Sequence, residues 1–216
     1  MDPISRYQKS ICWQKHIREQ NYESDLIKSG LSKIHTDCLS ISDFEFKYVP
    51  KVDKLNCKLV KEFIEKHEWL GKMPNRPTHR FIATYEGIVA GVLVMGTPNA
   101  FSYLLGKSNL NLEKQISRGA CISWSPTNLG SWLIMNSIRW MIKNTEFRYF
   151  TSYSDTAAKE LGTIYLACNF TYLGKTSGSR YEFYDPENPQ RGWFSSRLFR
   201  KVGQYKKYSL NLGLQW

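Results

Sequence analysis

Ser154 and Asp155 stand directly after Tyr149-Phe-Thr-Ser-Tyr153, a β-branched and aromatic run that predicts a strand. Open α/β sheets form their ligand crevices at the carboxyl ends of strands. A carboxylate there can orient an amine or accept its proton. It can equally cap a helix, a role that Ser154 or Thr156 could also fill. A segment of helical character follows from Gly162 to Cys168, and an aromatic run, Asn169 to Leu173, predicts another strand. Tyr165 lies in the helical segment, soon after Gly162, whose missing side chain allows close backbone approach. Ser154, Asp155 and Tyr165 therefore mark the first place to expect chemistry. The alternative for Tyr165 is a core aromatic.

Further candidates lie upstream. His67 closes an apparent helix beside Glu68, where an imidazole can complement the helix dipole or serve a reaction. Arg118 falls in a mostly apolar strand and needs a phosphate ligand or a buried ion pair. Asn128, Leu129, Gly130 and Ser131 make a turn that opens an amphipathic helix. Unpaired N–H groups and the positive helix end bind phosphate oxygens, although simple capping accounts for such a turn as well. His79, just before a strand, is expected at the surface or facing nucleic acid. Cys121 and Cys168 read as small core residues.

The elements that must position these groups follow from periodicity. Residues 1–44 read as a helical extension, with Ile11, Trp13, Ile17, Leu26, Ile27 and Leu31 at roughly helical spacing. Phe44 to Val49 alternates as a strand. Asp53 caps a helix to His67 with Leu55, Leu59, Phe63 and Ile64 on one face. Arg80–Tyr85 and Ile88–Met95 flank a Glu86-Gly87 turn as a hairpin, and Gln115–Trp124 is the next strand. A helix from Trp132 to Asn144 and a strand from Phe147 to Tyr153 complete a mixed α/β order. Residues 45–186 are expected to form the catalytic domain, and 187–216 a segment packed on it.

The 216 residues carry a net charge of +11. Residues 1–50 are balanced, whereas 187–216 hold six basic residues against one acidic. In that tail Arg191, Arg197, Arg200, Lys206 and Lys207 alternate with aromatic rings. Cations bind phosphates regardless of sequence and rings stack on bases. A solvated basic terminus with core aromatics is the other reading. Five widely spaced cysteines without a C-x-x-C pair predict neither a zinc knuckle nor a disulfide framework. No apolar run is long enough to span a bilayer, so a cytoplasmic protein is expected, without a membrane partner.

This order of elements resembles the GNAT acyltransferase architecture, a mixed central sheet flanked by helices. A narrower similarity emerges from His67-Glu-Trp-Leu-Gly71, Ser117-Arg118, Asn128-Leu-Gly-Ser131, Tyr153-Ser-Asp155 and Gly162-Thr-Ile-Tyr165, taken in succession. Over roughly residues 45–205 the chain is similar to the Mom family of bacteriophage DNA-modification proteins. Those GNAT-related enzymes convert the exocyclic amine of adenine in DNA to a carbamoylmethyl derivative, which protects phage DNA from restriction. The turn here is less glycine-rich than the usual GNAT loop. The resemblance implies double-stranded DNA and an acyl-CoA, acetyl-CoA first, as partners. It gives the acyl-CoA pyrophosphate to Asn128, Gly130 and Ser131, with Arg118 facing the same crevice. It sets His67, Ser154, Asp155 and Tyr165 near the reacting centre, with Tyr165 as the acid that protonates the departing thiolate. It also implies a possible iron, for which His and Asp are reasonable ligands and Tyr a third. Trp69, Trp124 or Trp193 would stack on the displaced base.

Overall fold

Alternating β-branched and aromatic residues build one five-stranded sheet in the order β1 (Glu45–Val49), β2 (Pro77–Tyr85), β3 (Ile88–Gly96), β4 (Glu113–Cys121), β5 (Tyr149–Ser152). The computed structural model describes residues 12–98, 104, 106–109, 111–175, 182–183 and 194–195. The first four strands are antiparallel neighbours, and β5 joins β4 in parallel. That parallel step requires a crossover, supplied by α4 (Leu129–Asn144). This is the expected mixed sheet with flanking helices and an N-terminal helical extension. The extension consists of α1 (Trp13–Ser29) and α2 (Lys33–Asp37).

The β2–β3 hairpin turns at Glu86 and Gly87, both at positive φ (47° and 80°), as the twist of a two-residue hairpin demands. Side chains alternate across the sheet. Phe46, Tyr48, Phe81, Gly91, Leu93 and Cys121 share the face that α4 covers, where Phe46 meets Trp132 and Tyr48 stacks on Trp140 at 4.0 Å. Arg80, Val92, Arg118 and Ala120 point to the other face, towards α3 (Lys54–His67).

Asp53 caps α3, its carboxylate accepting from the Asn56 backbone N–H at 3.0 Å. The buried stripe of α3 is Val60, Phe63, Ile64 and His67, while Leu55 is 70% exposed and Leu59 39%. The expected face is thus shifted: Leu55 and Leu59 fall outside the i, i+3, i+4, i+7 set that meets the sheet. The expected strand Asn169–Leu173 does not form. Asn169 takes φ 59°, and the Phe170 N–H bonds back to the Tyr165 carbonyl, so the chain turns instead of extending. His79 is half-buried among Tyr48, Trp140 and Phe147, which corrects its expected surface position.

Two compact units partition the chain. The sheet unit comprises residues 14–154 and 161–171. The other includes residues 155–160 and 172–216; its described parts include the 3₁₀ turn Thr156–Ala158 and the ladder of β6 (Glu182–Phe183) with β7 (Phe194–Ser195). Among the described residues no helix is long and apolar enough to cross a membrane.

Asp53→Ala should remove the cap of α3 and lower the urea midpoint. Urea titration checks this, and an unchanged midpoint would show that the cap contributes nothing.

Candidate functional site

The α4 N-terminus carries no side-chain cap: Asn128 occupies the capping position but makes no capping hydrogen bond. First-turn N–H groups of a helix have no partner within the helix. The Leu129 N–H is taken by the Pro126 carbonyl, and the Trp132 N–H begins the helical ladder on Asn128. The N–H groups of Gly130 and Ser131 have no acceptor among the described residues, and a helix N-terminus of this kind is favourable to negative charge. Ser131 is half-buried, its hydroxyl donating to the Asn128 carbonyl at 3.0 Å.

α5 (Thr163–Leu166) lies against this turn. A Cβ on Gly130 would come within 2.8 Å of Ile164 Cδ1, and the Cys168 thiol lies 3.6 Å from the Ser131 carbonyl oxygen. Gly162 precedes α5 at φ 73°, and a Cβ there would meet Ser154 Oγ at 2.8 Å. Glycine satisfies both constraints at once. The structure therefore gathers Asn128, Gly130, Ser131, Ser154 and Tyr165 at the carboxyl ends of β4 and β5. Tyr165 is half-buried, 5.6 Å from the Phe170 ring. Burial pushes the Cys121 thiol up to about 11 and raises that of Cys168, which keeps both protonated and unreactive. Asp155, in the other unit, is buried; its backbone N–H donates to Glu160 Oε2 at 3.1 Å, and its carbonyl begins the turn Thr156–Ala158.

His67 has a different setting. It is 5% exposed, its ring 4.3 Å from that of Phe63, and its Nδ1 is 3.6 Å from Asp25 Oδ2 of α1. Asp25 is 1% exposed and accepts from the Lys66 ammonium, the Ser123 hydroxyl at 2.6 Å and the Ser123 N–H at 3.3 Å. Burial lowers the His67 pKa to about 4, against the raising effect of Asp25. Burial prevails because Lys66 already neutralises that carboxylate, so the imidazole is neutral at pH 7. Of this network only His67 was legible as a site residue; Asp25, Lys66 and Ser123 were not. The only trace is that Asn21, Tyr22, Asp25 and Leu26 share one helical stripe.

Arg118 extends over the α3 face. Its Nε donates to the Lys72 carbonyl at 3.0 Å and lies 3.8 Å from Glu68 Oε2, and Nη1 donates to the Ser117 carbonyl at 2.6 Å. Cys121, three residues on, faces the α4 turn instead. Trp124 is 3% exposed, its indole N–H bonded to Ser29 Oγ at 3.0 Å, so it belongs to the core and is closed to a base. Among the described residues no group of three or more His, Cys, Asp or Glu side chains could hold a metal. Arg191, Trp193, Arg197, Arg200, Lys206 and Lys207 lie outside the described residues.

Two expectations concern this network. Asp25→Ala should cost about 2–3 kcal/mol, below the full value for a broken buried pair because Lys66 is partly solvated; denaturant titration reads it, and a cost under 0.5 kcal/mol would contradict it. The unfolded chain protonates His67 near pH 6.5, the native state only near 4. The stability due to neutral burial is thus complete above about pH 6.5 and lost as pH falls towards 4. His67→Gln should flatten the pH–stability curve in that window, and parallel curves for the two proteins would refute the assignment.

Comparison with known proteins agrees with the family reading. A family model described as the Mom protein family matches residues 49–207. None of the curated proteins matches the chain. Among solved structures, an aminoglycoside acetyltransferase from an uncultured soil metagenomic sample, in complex with sisomicin, is 14% identical. It aligns over 65% of this chain and 96% of its own, with a TM-score of 0.49. An aminoglycoside N-acetyltransferase in complex with CoA is 14% identical over 63% of this chain and 98% of its own, TM-score 0.42. A ribosomal-protein-alanine N-acetyltransferase from Brucella melitensis biovar Abortus 2308 is 7% identical over 64% and 99%, TM-score 0.42. These likenesses are too distant to add to the family match. That match spans well over half of the sequence and contains the α4 turn, Ser154, Asp155 and Tyr165, and the chain belongs to the Mom protein family.

Proposed function

We propose that this protein modifies DNA, converting the exocyclic amine of adenine to a carbamoylmethyl derivative that protects the DNA from restriction. The observation that carries the reading is the uncapped α4 N-terminus, with Gly130 pressed against α5, inside the matched span of the family. Bound acyl-CoA supplies an activated two-carbon unit. The N–H groups of Gly130 and Ser131 hold its pyrophosphate. Asn128 sets the turn.

The adenine amine is conjugated with the ring and is a poor nucleophile, and in duplex DNA it is paired. The base must therefore be extruded or met unpaired. Asp155 orients this amine and takes its proton, with Ser154 beside it in the chain. Tyr165 supplies the proton that the departing sulfur requires. His67, neutral and enclosed, acts by holding its helix end rather than by contact with the base. Arg118 contributes positive charge from the α3 face. Carbamoylmethylation joins the adenine nitrogen to the methyl carbon of the acetyl unit and an amide nitrogen to its carbonyl. Two further substrates are therefore required: a nitrogen donor, which displaces the thiolate at the carbonyl, and a two-electron oxidant, which takes the hydride lost from the methyl group. The basic tail, Arg191, Arg197, Arg200, Lys206 and Lys207, grips the DNA backbone together with the body of the protein.

Mass spectrometry of nucleosides from the DNA of cells expressing the chain tests this reading. A deoxyadenosine heavier by a carbamoylmethyl group, absent with Asp155→Ala, is the expected result. An unmodified profile from folded protein that binds acetyl-CoA and acetylates free amines would replace DNA modification with conventional acetyl transfer. Separately, Ser131→Trp should reduce acetyl-CoA affinity by at least about tenfold in calorimetry, since the indole would occupy the phosphate position. Wild-type affinity in that variant would remove the α4 turn from the site.

A further inference from the structure

α1 presents an open cleft of about 380 Å³, lined by Lys15, Arg18, Glu19, Tyr22 and Ser123. The cleft is built around an oriented guanidinium. Nη2 of Arg18 donates to the carbonyls of Ser123 at 3.0 Å and Ser125 at 3.1 Å, and lies 3.5 Å from Ser125 Oγ. Those bonds fix the guanidinium plane and leave Nε and Nη1 without an acceptor among the described residues. The Lys15 ammonium and the Tyr22 hydroxyl have no protein partner there either. Four such donor groups, on Arg18, Lys15 and Tyr22, and the Tyr22 ring thus share the cleft with a single carboxylate, Glu19.

Position adds a second argument. Ser123 is two residues beyond the end of β4, whose last residue, Cys121, lies against Gly130 of the α4 turn. Two residues span at most roughly 7.6 Å between Cα atoms. The cleft and the phosphate-binding turn therefore flank the same strand end, one on the α1 side and one on the α4 side. A donor on one side and an acceptor on the other would meet at β4. Residues 13–29 precede the span matched by the family model, so the family match assigns nothing to this surface.

We propose that this cleft holds the DNA strand carrying the target base. Lys15 and Arg18 take a phosphodiester, Tyr22 takes the face of a base, and Glu19 accepts from a base amine. Arg18 suits the role because a planar fork held by two carbonyls keeps its remaining N–H groups aimed without further loss of freedom. The proposal rests on the DNA-modifying reading above.

Lys15 is exposed and bonded to nothing among the described residues, so Lys15→Ala tests the cleft without threatening the fold. Fluorescence anisotropy of the full chain with a single-stranded, adenine-containing oligodeoxynucleotide is measured across a salt series. The variant should bind about threefold more weakly, with a log–log salt slope smaller by about 1, and acetyl-CoA affinity should be unchanged. In parallel, an oligodeoxynucleotide bearing a photoreactive adenine should cross-link within the tryptic peptide 19–28, which contains Tyr22. If the wild type binds the oligonucleotide but Lys15→Ala matches it, or the cross-links map outside α1, the cleft is overturned and DNA modification stands. If the wild type has no affinity for the oligonucleotide while still binding acetyl-CoA, both readings fall.

Discussion

The carboxylate of Asp25 is the charge around which the sheet unit is assembled. A carboxylate that is 1% exposed costs several kcal/mol in lost hydration unless opposite charge and hydrogen bonds replace the water. Lys66 supplies the charge and Ser123 supplies two hydrogen bonds, so one residue of α1 pins both the end of α3 and the loop after β4. Neighbouring polar contacts follow the same path. Gln14 donates to the His67 carbonyl and accepts from the Trp69 N–H, Asn21 donates to the Lys66 carbonyl, and Arg18 holds Ser123 and Ser125. The N-terminal helix is thereby part of the fold around the β4 loop, three residues upstream of the α4 turn.

At that turn the constraint changes from charge to space. Gly130 and Gly162 are both places where a single methyl group would collide, with Ile164 in one case and Ser154 in the other. α5 can rest against the α4 N-terminus only because those atoms are missing. The contact closes the turn on one side and brings Tyr165 to the same end of the sheet as Ser154. An uncapped helix end would be a defect in a structural element. Here it lies within the span matched by the family, which is why the proposed function puts the anion there.

Electrostatics separates the groups that resemble each other in composition. His67 and His79 are both lowered to about 4 by burial, so both are neutral at pH 7. His79 sits within an aromatic cluster where Lys114 also lies 4.3 Å from the Phe147 ring, and a second cation there would find little hydration. Arg118 is engaged by two carbonyls and Glu68. On α1, Arg18 is likewise held by two carbonyls through Nη2, whereas its Nε and Nη1 and the Lys15 ammonium have no partner among the described residues.

Much of the architecture was legible along the chain. Alternation at Phe44–Val49 and Ile88–Met95, the Glu86-Gly87 turn, the Asp53 cap and the long apolar helix after Ser131 all became the elements their periodicities imply, because local residue preferences and burial agree there. The succession of short motifs was sufficient to suggest the Mom family. Other features depended on which surfaces meet. Leu55 and Leu59 look as apolar as Val60 and Ile64, and only the angle of α3 on the sheet decides which pair is buried. Asn169–Leu173 has strand-forming residues but no strand to pair with, and a strand without a ladder leaves its backbone unsatisfied. Asp25 is one carboxylate among many until folding brings Lys66 and Ser123 to it across 41 and 98 positions. Sequence patterning sets which faces are apolar; long-range packing alone decides which polar groups are enclosed together.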